Sequence, residues 1–330
     1  MARKKRPSGD MTTNDDFELV GQQWRDVKRE AEEIIARAAG RAGRDPFKTM
    51  GRTCISFSGG RTSAYMLWRV LQSNGGRLPQ DCIVCFANTG KEREETLRFV
   101  RDCASHWDVP IVWLEYRDDE QGYAVVDFAT ASRNGEPFEA IIRKRQYLPN
   151  PVTRFCTSEL KIRPMHKYLR SHGWHDDDDG WDQMIGIRAD ESRRVSKIRN
   201  RGTSKESSKE SMVMPLAEAG VTKRDIGVFW KLQPFDLALF NNNGTTMEGN
   251  CDLCFLKGSN IVFTSIKAEP KRAIWWAKQE RSVQSSGQET GDGARFRTDR
   301  PSYQQMHDYA INQQDMLLGD DESIDCFCGD

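Results

Sequence analysis

The stretch Thr-Cys-Ile-Ser-Phe-Ser-Gly-Gly-Arg-Thr-Ser, residues 53–63, decides the fold because it joins an apolar run to two glycines and several hydroxyl side chains. The apolar run Cys54–Phe57 predicts a buried strand, and apolar side chains recur at helical spacing after Thr62. Glycines directly after a strand let backbone N–H groups approach a phosphate, and the N-terminus of the next helix adds a partial positive charge. We therefore predict a phosphate-binding loop here.

The side chains of this loop suit a phosphate ligand, because the hydroxyl groups can donate hydrogen bonds and the arginine offers a charged fork. The predicted loop consists of Ser58, Gly59, Gly60, Arg61, Thr62 and Ser63. The same residues would also make an ordinary tight turn between a strand and a helix. The loop by itself leaves that alternative open.

The chain on either side of the loop alternates between strand and helix patterns. The predicted elements are strand Cys54–Phe57, helix Thr62–Ser73, strand Ile83–Ala87, helix Arg93–Trp107, strand Ile111–Glu115 and, later, strand Gln183–Ile187. Helical stretches around Glu159–Leu169 and Lys223–Leu232 flank the last strand. This order predicts an α/β fold with a doubly wound parallel sheet, whose ligands bind beyond the carboxyl ends of the strands.

Composition divides the chain into three predicted parts. Residues 1–45 form a basic tail and a helical arm, 46–215 a nucleotide-binding domain, and 216–330 a cysteine-rich helical C-terminal region. Within the second part, Ser196–Ser211 is rich in lysine, serine and glutamate, which predicts a mobile loop.

The overall charge excludes a global field that would attract nucleic acid or membrane, because Lys+Arg and Asp+Glu both number 49. Any anion site must therefore be local. No run of about 18 apolar residues occurs, and the basic N-terminus has no apolar stretch behind it. We expect a cytoplasmic protein that does not bind or span a membrane.

Two more phrases follow predicted strands as the first loop does, namely Phe86–Gly90 and Gly186–Arg194. In this order the three phrases resemble the PP-loop enzymes of the PAPS (phosphoadenosine phosphosulfate) reductase family, whose loop reads Ser-Gly-Gly-x-x-Ser. The resemblance covers roughly residues 52–258 and implies an adenine nucleotide alpha-hydrolase-like fold. Arg61-Thr62 replaces the commoner Lys-Asp of that loop.

The resemblance implies a site for ATP or a related adenine nucleotide, APS or PAPS. Besides the first loop, it implies that the nucleotide is held by Asn88, Thr89, Gly90, Gly186, Arg188, Arg193 and Arg194. The arginines would contact phosphate or sulfate, and Arg188 would take part in catalysis. Taken singly, Asn88 would also suit a simple turn, and Arg193-Arg194 a solvated surface pair.

The nine cysteines fall into two groups. Four lie in apolar stretches and are expected to be buried, unreactive thiols, namely Cys54, Cys82, Cys85 and Cys103. Cys251 and Cys254, three positions apart in loop-forming sequence, suit a metal. The predicted ligand set is Cys156, Cys251, Cys254 and Cys328.

Thiolate ligands suit either zinc or an iron–sulfur cluster, and spacing alone does not separate the two. The resemblance favours a [4Fe–4S] cluster. PAPS reductases carry a C-terminal Glu-Cys-Gly-x-His phrase, whereas this chain ends Asp-Cys-Phe-Cys-Gly-Asp. Cys326 and Cys328 are candidate nucleophiles, and the altered tail leaves both sulfonucleotide reduction and ATP-dependent thiolation open.

Basic residues crowd the region around Cys156, which suits a polyanionic substrate as well as a solvated surface. They are Arg143, Lys144, Arg145, Arg154, Lys161, Arg163, His166, Lys167 and Arg170. The expected partners are an adenine nucleotide, a nucleic acid or small-molecule sulfur acceptor, and a sulfur or electron donor protein. The alternative is a non-catalytic nucleotide- or nucleic-acid-binding module whose cysteines hold a structural zinc.

Overall fold

A six-stranded sheet forms the centre of the molecule in the computed structural model, which describes residues 22, 24–34, 36, 44–175, 180–204, 207–242, 245–283 and 293–312. The strands lie in the order β4-β3-β2-β1-β5-β6. Their bounds are β1 Thr53–Ser56, β2 Cys82–Asn88, β3 Ile111–Tyr116, β4 Tyr123–Val126, β5 Trp181–Met184 and β6 Glu210–Val213. All neighbours pair in parallel except β3 and β4, which are antiparallel.

Helices connect and cover these strands. Along the chain they are α1 Arg61–Ser73, α2 Glu94–His106, α3 Glu136–Arg145, α4 Phe155–Thr157, α5 Arg163–Ser171, α6 Ser192–Arg201, α7 Pro215–Glu218, α8 Lys223–Lys231, α9 Ser259–Ala268, α10 Ala273–Ser282 and α11 Tyr303–Asn312. A π-helical turn, Ser158–Ile162, joins α4 to α5, and a short hairpin is formed by β7 Asn241–Asn242 and β8 Thr245–Thr246.

Both faces of the sheet are covered, because alternate residues of each strand project to opposite sides. On one face, Ile55 and Phe86 join a core with Leu67 of α1, Phe99 of α2 and Phe229 of α8. On the other face, residues that include Cys54 and Leu114 pack with Leu169 of α5. The predicted α/β, doubly wound sheet is confirmed, with an antiparallel edge strand, β4, that the sequence did not reveal.

Local signals explain the predicted helices. The helix that begins at Lys223 has a capping box, in which Thr222 and Asp225 satisfy each other's backbone amides. The helix Glu94–His106 has acidic residues in its first turn and a histidine in its last, which suits the helix dipole. In the predicted N-terminal arm, residues 24–34 are helical, and Glu30 pairs with Arg224 at 2.6 Å.

The prediction of a mobile loop at Ser196–Ser211 is wrong at both ends. Helix α6 continues to Arg201, because Ile198 and Val195 are buried three positions apart amid charged neighbours. Strand β6 begins at Glu210, whose buried carboxylate lies 3.0 Å from His166 Nε2. The domain boundaries at 45/46 and 215/216 stay a prediction.

The C-terminal helices form a second core that contains the loop with Cys251 and Cys254, which we call the cysteine loop. Trp276 of α10 and Tyr303 of α11 stack with their ring centroids 5.2 Å apart, and both are fully buried. Cys251 and Cys254 belong to this same cluster, together with Phe138 of α3. The region after residue 250 therefore packs against α3 and the end of β3, where Tyr116 joins it.

Candidate functional site

Three loops meet at the carboxyl ends of the adjacent strands β2, β1 and β5. Gly59 has φ +79°, and a Cβ atom there would lie 2.6 Å from Cγ2 of Thr96 in α2. A Cβ at Gly186 would lie 3.1 Å from the Cα of Ser63. A Cβ at Gly59 would also lie 3.2 Å from Cε2 of Phe86, so the first loop closely approaches both of the other phrases, and two glycines are needed for this approach.

The first loop is ordered by its own serines. Ser63 Oγ accepts a hydrogen bond from the backbone N–H of Ser58 at 3.1 Å and donates one to the carbonyl of Gly60 at 3.0 Å. Its hydroxyl also lies 3.0 Å from Ser58 Oγ. These bonds close the turn before α1 begins, so that the loop has a fixed shape at the N-terminus of that helix.

Arg61 was predicted as a phosphate ligand, but its side chain is engaged elsewhere in the structure. Its Nε and Nη2 donate to the two carboxylate oxygens of Asp236, both at 2.7 Å, and Nη1 donates to Thr246 Oγ1 at 2.9 Å. Nη2 also contacts the carbonyl of Leu237. Only 7% of the Arg61 side chain is exposed.

The arginines of the third loop have different positions. Arg188 reaches the first loop, where its Nη1 donates to Thr62 Oγ1 at 3.2 Å, and its Nε pairs with Asp190 at 3.0 Å. Arg194 is buried and pairs with Glu191. Arg193 is exposed. Arg188 thus joins the third loop to the first loop.

The second loop is held by a buried polar network. Asn88 Nδ2 donates to Glu115 Oε1 at 2.7 Å and to the carbonyl of Ser132 at 2.9 Å, while its Oδ1 accepts the N–H of Gly90 at 3.0 Å. Glu115 is fully buried and pairs with Arg117 at 3.0 Å. Asn88 therefore uses both ends of its amide within the protein, as a residue that shapes the turn.

Sequence reasoning missed Glu115, Arg117 and Ser132. The backbone N–H and hydroxyl of Ser132 both donate to the Glu115 carboxylate, at 2.6 and 2.8 Å. A carboxylate inside the apolar strand β3 was the available signal, because a buried charge needs partners. The network ties the loop after β2 to the loop before α3.

The cysteine loop docks directly on the second nucleotide loop. Glu92 and Cys251 form an isolated antiparallel bridge, and the N–H of Asp252 donates to the carbonyl of Lys91. Cys251 Sγ lies 3.4 Å from Thr89 Oγ1 and donates to Glu92 Oε1 at 3.8 Å. Thr89 thus belongs both to the predicted nucleotide site and to the surroundings of a predicted metal ligand.

Three of the predicted metal ligands line one small cavity of about 20 Å³. Cys156, Cys251 and Cys254 share it with Thr89 and with apolar side chains such as Phe138. Across the described ranges, no three His, Cys, Asp or Glu side chains are arranged to hold a metal ion. Cys326 and Cys328 lie outside the residues that the structure describes.

Three cysteines from two distant segments line this space together with apolar side chains; they are a thiolate donor set by type, although their side chains are not arranged to hold a metal ion. The other four cysteines are buried, as predicted, at Cys54, Cys82, Cys85 and Cys103. The hydrogen bond with Cys85, together with burial, holds the pKa of Cys54 well above its ordinary value. Burial also raises the pKa of Cys82 and of Cys103, so these two thiols and Cys54 are poor nucleophiles.

Arg272 holds the cysteine loop in place. Sequence reasoning did not identify this residue. Its Nη1 donates to Glu248 Oε1 at 2.6 Å, and its Nε donates to Asp252 Oδ1 at 2.9 Å. Burial acts to raise the pKa of Glu248, but its ion pair with Arg272 outweighs this and lowers the pKa below its usual value. One arginine therefore holds both flanks of Cys251.

A polar cavity of about 260 Å³ lies beside the same loop and is lined by charged residues that include Lys91, Arg133 and Arg272. Burial lowers the pKa of the Lys91 ammonium, although Asp252, Cys251 and Glu92 partly offset it. Its Nζ lies 5.0 Å from the centroid of the Trp275 ring. Lys91 follows directly on the Thr-Gly of the second phrase, which was the available signal.

Carboxylates neutralise part of the basic region around Cys156. Arg145 and Arg163 both pair with Glu159, and Lys144 pairs with Asp118 at 2.7 Å. His166 is buried against Glu210, so its prediction as part of a polyanion-binding surface is wrong. Arg143, in the last turn of α3, is exposed.

This chain is similar to a known protein family and to two known sequences. The family model for the phosphoadenosine phosphosulfate reductase domain matches residues 52–233. An uncharacterized nin region protein of Escherichia phage lambda is 34% identical over 224 residues, which are 65% of this chain and 69% of that protein. An uncharacterized protein of Methanocaldococcus jannaschii is 30% identical over 146 residues, 44% of this chain and 25% of its own length.

Two solved structures are also similar. One is phosphoadenylyl-sulfate (PAPS) reductase from Candida auris in a phosphate complex, with TM-score 0.36 and 12% identity over 62% of this chain and 88% of that one. The other is the U34-tRNA thiolase NcsA from Methanococcus maripaludis with its [4Fe-4S] cluster, with TM-score 0.34 and 15% identity over 80% and 83%. No helix among the described residues has the length and apolar character needed to cross a membrane.

Proposed function

Because the chain belongs to the phosphoadenosine phosphosulfate reductase domain family, we propose that it is an enzyme that binds an adenine nucleotide at Ser58–Ser63. It carries out sulfur chemistry on or with that nucleotide beside the cysteine-lined cavity. One observation carries the proposal. Thr89 of the second nucleotide loop lines the same cavity as Cys156, Cys251 and Cys254.

The nucleotide phosphates are proposed to bind at the first loop. The N-terminus of α1 and the hydroxyl of Thr62 supply donors there, and Arg188, 3.2 Å from that hydroxyl, supplies positive charge. Because Ser63 and Gly59 hold the loop in one shape, the donors are preorganised and need no rearrangement when charge develops on the phosphate.

A [4Fe–4S] cluster is proposed as the resident cofactor, with Cys156, Cys251 and Cys254 as its ligands and Cys328 as the candidate fourth. Bound by four cysteines, such a cluster would be structural or electrostatic, and the unused member of Cys326 and Cys328 would be the candidate nucleophile; bound by three, it would be able to carry sulfide to an activated substrate. The chain's own contribution is to hold these thiols against Thr89 and to surround them with apolar side chains such as Phe138.

Two reactions of this class fit the proposed site. In reduction, the thiolate of Cys326 or Cys328 attacks the sulfur of an adenylyl sulfate, and the nucleotide leaves. A second thiol then attacks Sγ of the first cysteine and loses its proton. A disulfide forms, the bond between Sγ and the sulfonate group breaks, and sulfite departs with the electron pair of that bond, so that the two thiols supply the two electrons. In thiolation, ATP transfers AMP to a carbonyl-type oxygen and releases pyrophosphate. Hydrosulfide then displaces AMP, which carries that oxygen away.

The sulfur acceptor in the thiolation reaction is proposed to be a nucleic acid or a small anionic molecule. Arg143 is exposed in the last turn of α3, and the loop after that helix leads to Cys156. A sulfur or electron donor protein would complete either cycle. The net charge of zero means that such contacts depend on this local surface rather than on a global field.

The test begins with anaerobic purification of the full chain, followed by analysis of iron, sulfide and zinc. The protein is then incubated with ATP, APS or PAPS, while pyrophosphate and sulfite are measured. We expect iron with sulfide, and turnover of at least one nucleotide. A colourless zinc protein without turnover would instead support the non-catalytic binding module.

Two outcomes separate the reactions. Sulfite from APS or PAPS that disappears in Cys328→Ser or Cys326→Ser identifies reduction and excludes thiolation. Pyrophosphate from ATP that forms only when a nucleic acid or another acceptor is added identifies thiolation. Thr62→Val is the matched variant for the nucleotide site, because it removes one hydroxyl and keeps the shape of the side chain.

A further inference from the structure

The side chain of Arg61 is turned to protein acceptors outside the nucleotide loop in which the residue stands. Its two bonds to Asp236 are parallel and 2.7 Å long, which is the bidentate geometry that guanidinium and carboxylate prefer. Thr246 and the carbonyl of Leu237 accept further bonds. The charge of Arg61 is thus already paired with a carboxylate, and Asp236, Leu237 and Thr246 accept the hydrogen bonds of its guanidinium.

The backbone of Arg61 adds a contact to the same region. Its carbonyl accepts a hydrogen bond from Trp230 Nε1 at 3.0 Å, and Trp230 lies in α8, shortly before Asp236. Arg61 therefore contacts residues at three places along the chain, namely Trp230, then Asp236, Leu237 and Leu239, and finally Thr246. A residue that served only to bind phosphate would not need acceptors from so long a segment.

That segment leads directly to the cysteines. Thr246, which Arg61 contacts, is five positions before Cys251 in the sequence. Arg272 then holds Glu248 and Asp252, on either side of Cys251. Two arginines with buried side chains therefore contact described residues between 236 and 252, one from the nucleotide loop and one beside the cysteine loop.

We propose that Arg61 is a positioning residue that anchors residues 236–242 and 245–252 to the nucleotide loop and so sets the order of the cysteine loop. It acts through Asp236 and Thr246, and phosphate binding is left to the loop backbone, Thr62 and Arg188. The anchoring follows from the contacts alone. That a nucleotide at this loop is coupled to the cysteines rests on the proposed function.

Hydrogen exchange of the full chain tests the anchor, with Asp236→Asn as the main variant because 44% of the Asp236 side chain is exposed and folding should tolerate the change. Without its charged acceptor, Arg61 should release the segment, and amide exchange at 237–242 and 245–254 should rise on the order of tenfold. Arg61→Lys should also raise the amide exchange of these residues, since lysine keeps the positive charge but lacks the guanidinium that bonds both oxygens of Asp236. Asp102→Asn, in an exposed pair with Arg101, is the control and should change nothing there.

Equilibrium binding of ATP to the same variants distinguishes the two roles. A positioning role predicts faster exchange in both Asp236→Asn and Arg61→Lys. Unchanged exchange in Asp236→Asn, with ATP binding weakened only by changes at Arg61, would overturn the proposal. If the unaltered protein binds no ATP, the proposed function fails, while the exchange data still decide whether Arg61 is an anchor.

Discussion

The nucleotide loop and the cysteine loop are built by different means. The first lies between adjacent parallel strands, and its shape depends on close backbone approach at Gly59 and Gly186. The second is one short segment that is held by residues distant in sequence, through a bridge to Glu92 and the ion pairs of Arg272. Sheet topology thus fixes one site, whereas paired charges fix the other, and the two should fail in different ways.

The largest effect is expected from Arg272→Met, which tests whether charge holds the cysteine loop. The change leaves Glu248 and Asp252 largely buried without their partner, so unfolding free energy should fall by about 3 kcal/mol. Thermal or denaturant unfolding measures this loss. Glu248→Gln in the Arg272→Met protein should recover part of it, whereas an equal loss in Arg101→Met, from an exposed pair, would contradict the interpretation.

The next effect tests whether steric fit holds the nucleotide loop. Gly59→Ala introduces a Cβ 2.6 Å from Thr96 Cγ2 at φ +79°, and should lower the unfolding free energy by roughly 2–3 kcal/mol and weaken nucleotide binding. Gly76 has φ +78° and nothing within 4 Å of a Cβ. Gly76→Ala should therefore cost only about 1 kcal/mol. Equal losses in the two variants would mean that the contact with Thr96 is unimportant.

The third prediction concerns pH and the core beside the cysteine loop. Glu280 is buried in α10 and accepts the backbone N–H groups of Phe296 and Tyr303, at 3.3 and 2.9 Å. Burial raises its pKa from 4.5 to about 6, in spite of these bonds. A raised pKa in the folded state stabilises the protein fully below about pH 4.5. That contribution is lost as the pH rises through about 6.

Between pH 4 and 7 the unaltered protein should therefore lose about 2 kcal/mol of unfolding free energy relative to Glu280→Gln. Denaturant unfolding of the two proteins over this pH range gives the difference directly, because other titrating groups are common to both. Parallel curves for the two proteins would show that Glu280 titrates normally.

The smallest effect separates the two groups of cysteines. Cys103 is buried between α2 and the sheet, so Cys103→Ala should cost about 1 kcal/mol through a small cavity and leave the iron content unchanged. Cys251→Ala should reduce the iron content, since Cys251 lines the shared cavity. Iron and sulfide analysis of anaerobically purified variants makes the comparison. Equal iron in both would remove Cys251 from the ligand set.

The sequence placed residues 58–63 correctly between a strand and a helix because the signals for this turn are local. Gly59 and Ser63 directly follow the strand that carries them, and their contacts lie within the same few residues or on the next strand. The sequence could also place Arg61 in that loop. It could not reveal that Asp236, 175 positions later, takes the guanidinium, because no local pattern marks so distant a partner.

The missed elements have the same cause. Strand β6 begins with Glu210, which the sequence presents as one more charge in a polar run and which is stabilised by His166, 44 positions earlier. The cysteine loop was recognised from its spacing, but Arg272 gave no signal of its own. Ion pairs between distant segments thus account for most of what sequence patterns did not supply.

The bridge between Glu92 and Cys251 also bears on the order in which the protein is made. The two residues are 159 positions apart, and synthesis runs from the N-terminus. Every strand of the central sheet ends by Val213, so the ribosome has delivered the whole sheet before Cys251 emerges. The cavity is then completed as one of the last events of folding, on a scaffold already formed, and any group that it holds is acquired after that point.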